Sequence, residues 1–544
     1  MAKKLTRILQ TQVDLPQAAS ERSSFQSFVA QREKLLIFAI FLFAVIFRFL
    51  TVSDNTIYFL FDQARDATIV QEMITQRDLK IQGPSASGTN DMIYHGALYY
   101  YLIAPVYAVA RGNPQLVSYF FALLSSIAVV PLFYLTKNLT QNRWAGILAA
   151  GLYAFSFEAS QTGTWLSNPV MVMMTLPFFY WFFWRIFFQN RTQELPWLML
   201  FLGLTNQAVI FSGYLWLIIL LGYWIASRRN TTQRFTFPLR TLILSAVVYL
   251  ATVSTLVLNH LLLLRNGVLR PLEFIGTLSK SGTTGLIEQL SQTFHIYARH
   301  INMVYFPQLG LFSLLLFGVI VWTVKKTSSQ PVRYFLSLWF FAPLLLLSFL
   351  FRNNYHSSIG LSFVLYILLA VLIVQASKDR VGKVFAVILV IGFLSANISQ
   401  LIYAKQESFH IASIQSRGLL KHQLDLLDDT YQKAAGQPFS ISTLTVPYGY
   451  NTTWAYLYNW YGKSKYGYTP NFYGSSQSGS FGPSMLTIVE SPDLLHFSIF
   501  EPLEGISQDL YKDFATKQVE AAGPILDERR YSTFQTHTHD RTSR

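Results

Sequence analysis

The chain has 544 residues, of which 52% are hydrophobic and only 13% charged, with a net charge of +14. Soluble domains carry about 25% charged residues, so the composition excludes a purely soluble enzyme and indicates a polytopic α-helical membrane protein. The positive charge does not indicate nucleic acid, because Lys and Arg lie between apolar runs rather than in one patch; the lack of cysteine excludes disulfides, thiol nucleophiles and Cys–zinc sites.

Residues 1–34 are polar and basic with no cleavage site, and read as a cytoplasmic N-terminal tail rather than a signal peptide. Apolar runs follow near 35–52, 115–135, 145–160, 169–188, 196–211, 213–226, 240–262, 304–324, 334–351, 357–376 and 384–403. They predict about eleven spans, each near the length a bilayer demands. Two within 196–226 are short and are separated only by Ser212-Gly213. Lys and Arg are roughly twice as frequent between spans on the side of the N-terminus, which sets that side inside and the C-terminus outside. Residues 35–403 are therefore expected to be a membrane domain in the plasma (inner) membrane, and 404–544 a soluble extracytoplasmic domain.

The first outer loop, about 53–114, is long and partly apolar. Helical spacing from Ile57 to Gln76 predicts a helix lying along the membrane surface. A turn-rich break, Gly83 to Gly88, follows, and residues 96–110 predict a second interfacial or re-entrant helix. The second outer loop, about 263–303, carries Arg265, Arg270, Lys280 and Arg299. In the outer domain an amphipathic helix over 408–434 precedes a strand-like run Phe439–Val446 and the aromatic segment Trp454–Tyr473. A strand Met485–Val489 and a helix over 507–522 complete a small α/β domain. The last dozen residues are polar and predicted to fray, with His537 and His539 as incidental polar positions.

The densest chemistry lies in Phe61-Asp62-Gln63-Ala64-Arg65-Asp66-Ala67. Two carboxylates and an arginine are costly at a membrane surface unless something uses them. On a helix Asp62 and Asp66 share a face, and Arg65 neighbours both. A carboxylate can deprotonate an acceptor hydroxyl or amine, and the planar fork of arginine suits phosphate. An ordinary surface ion-pair cluster explains the same spacing. His95 precedes Tyr99-Tyr100-Tyr101 and can bind phosphate or carry a proton, although a lone His beside tyrosines is more often structural. Trp165-Leu166-Ser167-Asn168-Pro169 opens a span; capping by Ser167 or Asn168 explains most of it, with Trp165 a weaker sugar-binding candidate. Arg352-Asn353-Asn354-Tyr355-His356 forms a tight outer link, either a phosphate partner or a polar turn. The outer-domain aromatics read chiefly as packing. No P-loop, HExxH or dinucleotide glycine pattern occurs, and no cluster has metal-ligand spacing.

At these residues the chain resembles the membrane-integral glycosyltransferases of the GT-C class that use polyprenyl-phosphate donors. More narrowly, it is similar to the dolichyl-phosphate-mannose protein mannosyltransferase family (glycosyltransferase family 39), whose bacterial relatives include the lipid A aminoarabinose transferases. The pattern is Asp62-Gln63 in the first outer loop, His95 through Tyr100, and Arg352 through His356 before a late span, across roughly 35–405. Two departures stand out: Gln63 replaces the common Glu after the acidic residue, and Asn168 stands where many relatives carry Asp.

The resemblance implies an inverting glycosyltransferase that moves a sugar from a polyprenyl-phosphate-linked donor to an extracytoplasmic protein, lipid or cell-wall glycan. It implies Asp62 as base, with Asp66 orienting the acceptor or sharing that role. Arg65, His95 and Arg352 would hold the phosphate, and Tyr99, Tyr100, Trp165, Asn168, Arg265, Tyr355 and His356 would complete the substrate site. Membrane lipids surround the chain, and the donor's phosphate is a fair leaving group, so no metal is demanded, with a divalent ion left open. A transporter or flippase of lipid-linked sugars is the alternative. It predicts charged residues at mid-membrane, whereas the spans hold almost no carboxylate, Glu158 near an outer end being the exception.

Overall fold

The computed structural model describes residues 16–86, 93–229, 235–265, 286–350, 355–411, 417–474, 485–502, 504 and 506–540. The protein is an integral membrane protein of helices, with a small C-terminal α/β domain. Among the described residues, seven helices are long and apolar enough to cross a bilayer: Gln31–Val52, Pro114–Thr140, Val170–Phe187, Ile210–Arg228, Gly310–Thr327, Ser358–Ala376 and Arg380–Gln406. A bent pair, Leu239–Thr252 and Ser254–Leu262, makes an eighth if read as one span with a 62° break.

Three further expected runs are helical as well. The run near 145–160 divides into helices Arg143–Phe155 and Phe157–Thr164, because the Ser156 side chain accepts from the Ala159 N–H and starts a new helix. The run near 196–211 is helix Leu195–Ala208, which ends before the 3-10 turn Ile210–Tyr214. The run near 334–351 lies in helix Gln330–Leu350. The first helix starts at Pro16, within the expected tail, and continues into the first span. Ser362–Ala376 is buried almost throughout, as befits a span apolar on all sides and enclosed by others. By contrast, Arg380–Gln406 exposes Val384, Ile388 and Ile391 to the lipid side.

After the first span, helix Phe61–Gln76 ends at Arg77 in the left-handed conformation (φ 56°). A short antiparallel pair, β1 (Gln82–Ser85) and β2 (Tyr94–Gly96), leads into helix Leu98–Val109. Gly96 is required there: a Cβ would lie 1.4 Å from Gln207 Oε1.

The C-terminal domain is built on a six-stranded sheet of order β5-β4-β3-β6-β8-β7. Its strands are β3 (Ser440–Leu444), β4 (Asn471–Tyr473), β5 (Ile488–Val489), β6 (Leu495–Phe500), β7 (Ile525–Tyr531) and β8 (Phe534–Asp540). β5, β4, β3 and β6 are parallel, whereas β8 runs antiparallel to both β6 and β7. The expected frayed end is thus corrected: residues 534–540 form an interior strand, held by hydrogen bonds on both edges. His537 and His539 are buried in it, and His539 bonds Ser498 Oγ (3.0 Å) and the Gly523 carbonyl (2.8 Å). The predicted helix over 408–434 is observed as Leu420–Ala434.

The C-terminal domain is joined to the segment just before helix Phe61–Gln76. The N–H groups of Phe59, Leu420 and Lys421 donate to the carbonyls of Gly418, Ile57 and Asn55, each at 2.9 Å. Gln423 Nε2 donates to the Phe59 carbonyl at 2.8 Å.

Candidate active site

Helix Phe61–Gln76 presents the acidic motif. Its first turn is closed by Gln63, whose Oε1 accepts from the Leu60 N–H at 3.2 Å. That reach-back bond is the one glutamate or glutamine supplies in a capping box. Gln63 therefore does structural work that needs no charge.

Asp62 projects from this turn with a side chain 58% exposed, while Asp66 one turn later is only 2% exposed. Arg65 ties them together. Its Nη1 donates to Asp62 Oδ1 at 2.7 Å, and its Nε and Nη2 donate to Asp66 Oδ1 at 2.9 and 2.8 Å. Three of the five guanidinium N–H donors are thus engaged, which leaves two for a ligand. The Tyr100 hydroxyl donates to the same Asp66 oxygen at 3.3 Å, and Asp66 Oδ2 is buried without a hydrogen bond among the described residues. Burial pushes the Asp66 carboxyl up to about 6, against the lowering pull of Arg65. Burial alone would lower the Arg65 pKa, but Asp66 and Asp62 outweigh it and the net shift is upward. The arginine is therefore a fixed cation, itself only 11% exposed, held by a buried carboxylate and paired with an exposed one.

The other predicted residues divide into groups. Tyr99, beside Tyr100, stacks on Phe121 at 6.0 Å and packs the wall behind the triad. His95 is buried; its Nδ1 accepts from the Ile210 N–H at 3.1 Å, which leaves the proton of the neutral ring on Nε2. Asn168 does not cap a helix. Its Nδ2 donates to the Ala208 carbonyl at 2.5 Å, and Pro169 precedes helix Val170–Phe187 with no side-chain cap. Trp165 packs against His410 at 5.5 Å, whose other face stacks on Tyr58 at 4.9 Å. Arg265 ends helix Ser254–Arg265, and Arg352 lies outside the described residues. Tyr355 and His356 begin the 3-10 turn Tyr355–Leu361.

Tyr355 joins a cluster that includes a carboxylate noted only as an exception in the sequence. Glu158 is fully buried; Ser362 Oγ and the Tyr355 hydroxyl donate to its Oε1 at 2.7 and 3.3 Å, and the Tyr366 hydroxyl to its Oε2 at 3.1 Å. The Tyr355 ring stacks on His300 at 4.0 Å, and the Arg299 guanidinium lies 4.9 Å from that ring. Arg299 also donates to the Ile411 carbonyl at 2.6 Å, and Gln161 grips the same stretch through Phe409 O and Ile411 N, both at 2.8 Å. Sequence reading missed Gln161 and Arg299 as site-building residues. The available signal was Glu158 itself, a carboxylate inside an apolar run, with Gln161 one turn further along the same helix. Among the described residues, no three His, Asp or Glu side chains are grouped to hold a metal ion.

Residues 94–257, less than a third of the chain, match the family model of dolichyl-phosphate-mannose-protein mannosyltransferase. That stretch includes His95, Tyr99, Tyr100, Trp165 and Asn168 but not the Asp62–Asp66 motif. None of the curated proteins matches the chain in sequence. Among solved structures, ArnT from Cupriavidus metallidurans bound to undecaprenyl phosphate superposes with a TM-score of 0.50 at 12% identity, over 93% of this chain and 97% of that one. Its apo form gives 0.49 at 12% identity, over 94% and 98%. The Archaeoglobus fulgidus oligosaccharyltransferase, in complex with zinc and sulfate, gives 0.41 at 14% identity, over 80% and 62%. In its fold the chain resembles the GT-C membrane glycosyltransferases, ArnT among them.

Proposed function

We propose that the protein transfers a sugar, with inversion, from a polyprenyl-phosphate-linked donor to an acceptor at the outer membrane surface. The observation that carries this reading is the Asp62–Arg65–Asp66 arrangement on the interfacial helix: an exposed carboxylate beside an arginine held by a buried one. The fold likeness to ArnT, which was captured with undecaprenyl phosphate, supports the donor class.

In this reading Asp62 takes the proton of the acceptor hydroxyl or amine as its lone pair attacks the anomeric carbon. The bond from that carbon to the phosphate oxygen breaks, and polyprenyl phosphate leaves with the electron pair. The two uncommitted N–H groups of Arg65 meet the charge that grows on the phosphate. Asp66 and Tyr100 act as positioning residues that fix the guanidinium plane. His95, with its proton on Nε2, and Arg352 supply further phosphate contacts, while Tyr99, Trp165, Asn168, Arg265, Tyr355 and His356 shape the surrounding site. The outer surface is extracytoplasmic, with the N-terminus inside. Glu158, the carboxylate that a transporter would need free, is committed to three hydroxyl donors, which weighs against that alternative.

The test is mass spectrometry of lipid that co-purifies with wild-type protein and with Asp62→Asn. The expected result is the polyprenyl-phosphate sugar on the variant and free polyprenyl phosphate on the wild type. Sugar transfer by Asp62→Asn at the wild-type rate would remove Asp62 as the base.

A further inference from the structure

A second recess lies on the flank of the interfacial helix, away from Asp62. It has a volume of about 290 Å³ and opens between that helix, the end of helix Leu98–Val109 and the aromatic segment of the outer domain. That size is near the lower end of small-molecule sites, roughly 300 Å³. Gln71, Tyr107, Arg111, Tyr456, Asn459 and Trp460 line it.

One wall is the C-terminal turn of helix Leu98–Val109, closed by the Gly112 N–H on the Tyr107 carbonyl at 3.0 Å. Arg111 and Gly112 both adopt left-handed conformations, with φ of 50° and 84°. Such a conformation in a non-glycine residue persists only where its surroundings hold it. Here the Tyr456 hydroxyl donates to the Gly112 carbonyl at 2.5 Å, and Trp460 packs so closely that a Cβ on Gly112 would meet its ring at 2.9 Å. The turn therefore aims an exposed arginine at the recess, and Arg111 makes no ion pair among the described residues. The half-buried indole of Trp460 offers a flat apolar face, while Gln71 offers an amide donor and acceptor and Asn459 an amide whose Nδ2 rests on Met485 Sδ at 3.9 Å.

A ring-shaped apolar face, two amides and one uncommitted guanidinium suit a sugar ring that carries a carboxylate. The recess begins at Ala67, five residues or about 8 Å beyond Asp62 along the helix, and extends past Gln71, nine residues or about 14 Å beyond it, at ~1.5 Å per residue. That separation places the recess beyond the reacting centre, where a more distant unit of an extended ligand would lie. We infer that this recess binds an acidic saccharide unit of the acceptor, one or more sugars away from the hydroxyl that reacts at Asp62. The inference rests on the transferase reading for the word acceptor; the binding of an acidic saccharide does not.

The test uses full-length protein in detergent and saturation-transfer NMR with trigalacturonate, with maltotriose as the neutral comparison. Saturation transfer to trigalacturonate is expected from the wild type, with weaker transfer to maltotriose and at least a fivefold loss in Arg111→Gln and in Asn459→Ala. Arg111→Lys is expected to retain part of the signal, which separates lost charge from a disturbed turn. A trigalacturonate bearing a dodecyl chain distinguishes a lipid-borne acceptor, bound at least tenfold tighter with the chain, from a soluble or polymeric one, bound equally. No transfer to trigalacturonate, or equal transfer from wild type and Arg111→Gln, overturns the inference. The readout involves no turnover, so a failed Asp62→Asn comparison would remove the transferase reading and leave this binding result standing.

Discussion

Asp66→Asn separates what the buried carboxylate costs from what it does. The amide keeps Oδ1 as an acceptor for Arg65 Nε and Nη2 but carries no charge. Burial raises the Asp66 carboxyl from 3.8 to about 6. At about 1.4 kcal/mol per pKa unit, the ionised form is disfavoured by about 3 kcal/mol at neutral pH relative to the unfolded chain. A raised folded-state pKa means that this stabilising contribution is fully present below 3.8 and lost as pH rises through 6. Asp66→Asn should therefore unfold at a higher temperature than wild type at pH 7, with a gain of up to about 3 kcal/mol, and should lack that pH slope. Transfer should move the other way. With Asp66 neutral, Asp62 becomes the stronger partner of Arg65 and draws the guanidinium over the base. A misplacement on the order of 1 Å costs up to roughly 10²-fold in rate. The assays are thermal unfolding in detergent followed by tryptophan fluorescence, and single-turnover transfer between pH 5 and 8. The wild-type rate should fall as pH drops through about 6, and the variant should lack that limb. A variant less stable than wild type by more than about 1 kcal/mol, or one that transfers at the wild-type rate, refutes the reasoning.

Three further outcomes follow from the same geometry. Gln63→Ala removes the bond from the Leu60 N–H and should cost about 1 kcal/mol, lowering the transfer rate, while Gln63→Glu keeps the bond and should restore both in thermal and kinetic assays. Gly96→Ala pushes a Cβ into Gln207, which bonds the Thr252 carbonyl and Thr255; overpacking of about 1–3 kcal/mol should appear as a lower unfolding temperature. In the C-terminal domain, burial holds His496 down at about 3 and lowers His539 as well, so both fold neutral. Their contribution is complete above about 6.5 and is lost as pH falls towards 3. Acid titration followed by circular dichroism should show the loss, and His496→Gln should reduce it.

The membrane domain was legible because spans announce themselves by length and composition. Helix Phe61–Gln76 was legible too, since its apolar spacing survives the charges it carries. Span boundaries were less so. Ser156 ends one helix and begins another through a single side-chain bond, and hydropathy does not register that event. Asn168 has the composition of a cap, yet its partner is the Ala208 carbonyl, 40 residues away. The polar end of the chain looked unfolded because β8 is a threonine- and histidine-rich strand whose burial depends on neighbours from β6 and β7. At the site, the one-turn spacing of Asp62 and Asp66 was visible, but their unequal exposure was not: it comes from Tyr100 and the wall behind it.

The bonds that join residues 55–59 to residues 418–423 bear on the order of assembly. A chain made from its N-terminus folds its early parts first. Here the segment that leads into helix Phe61–Gln76 is synthesised long before its partners; Gln423 follows Phe59 by 364 residues. Until the last span and the C-terminal domain have been made, the carbonyls of Asn55, Ile57 and Phe59 lack these donors. The exposed carboxylate at Asp62 is thus anchored only in the finished protein. A chain truncated after residue 403 would keep every apolar run and still lose the support on which the acidic helix begins.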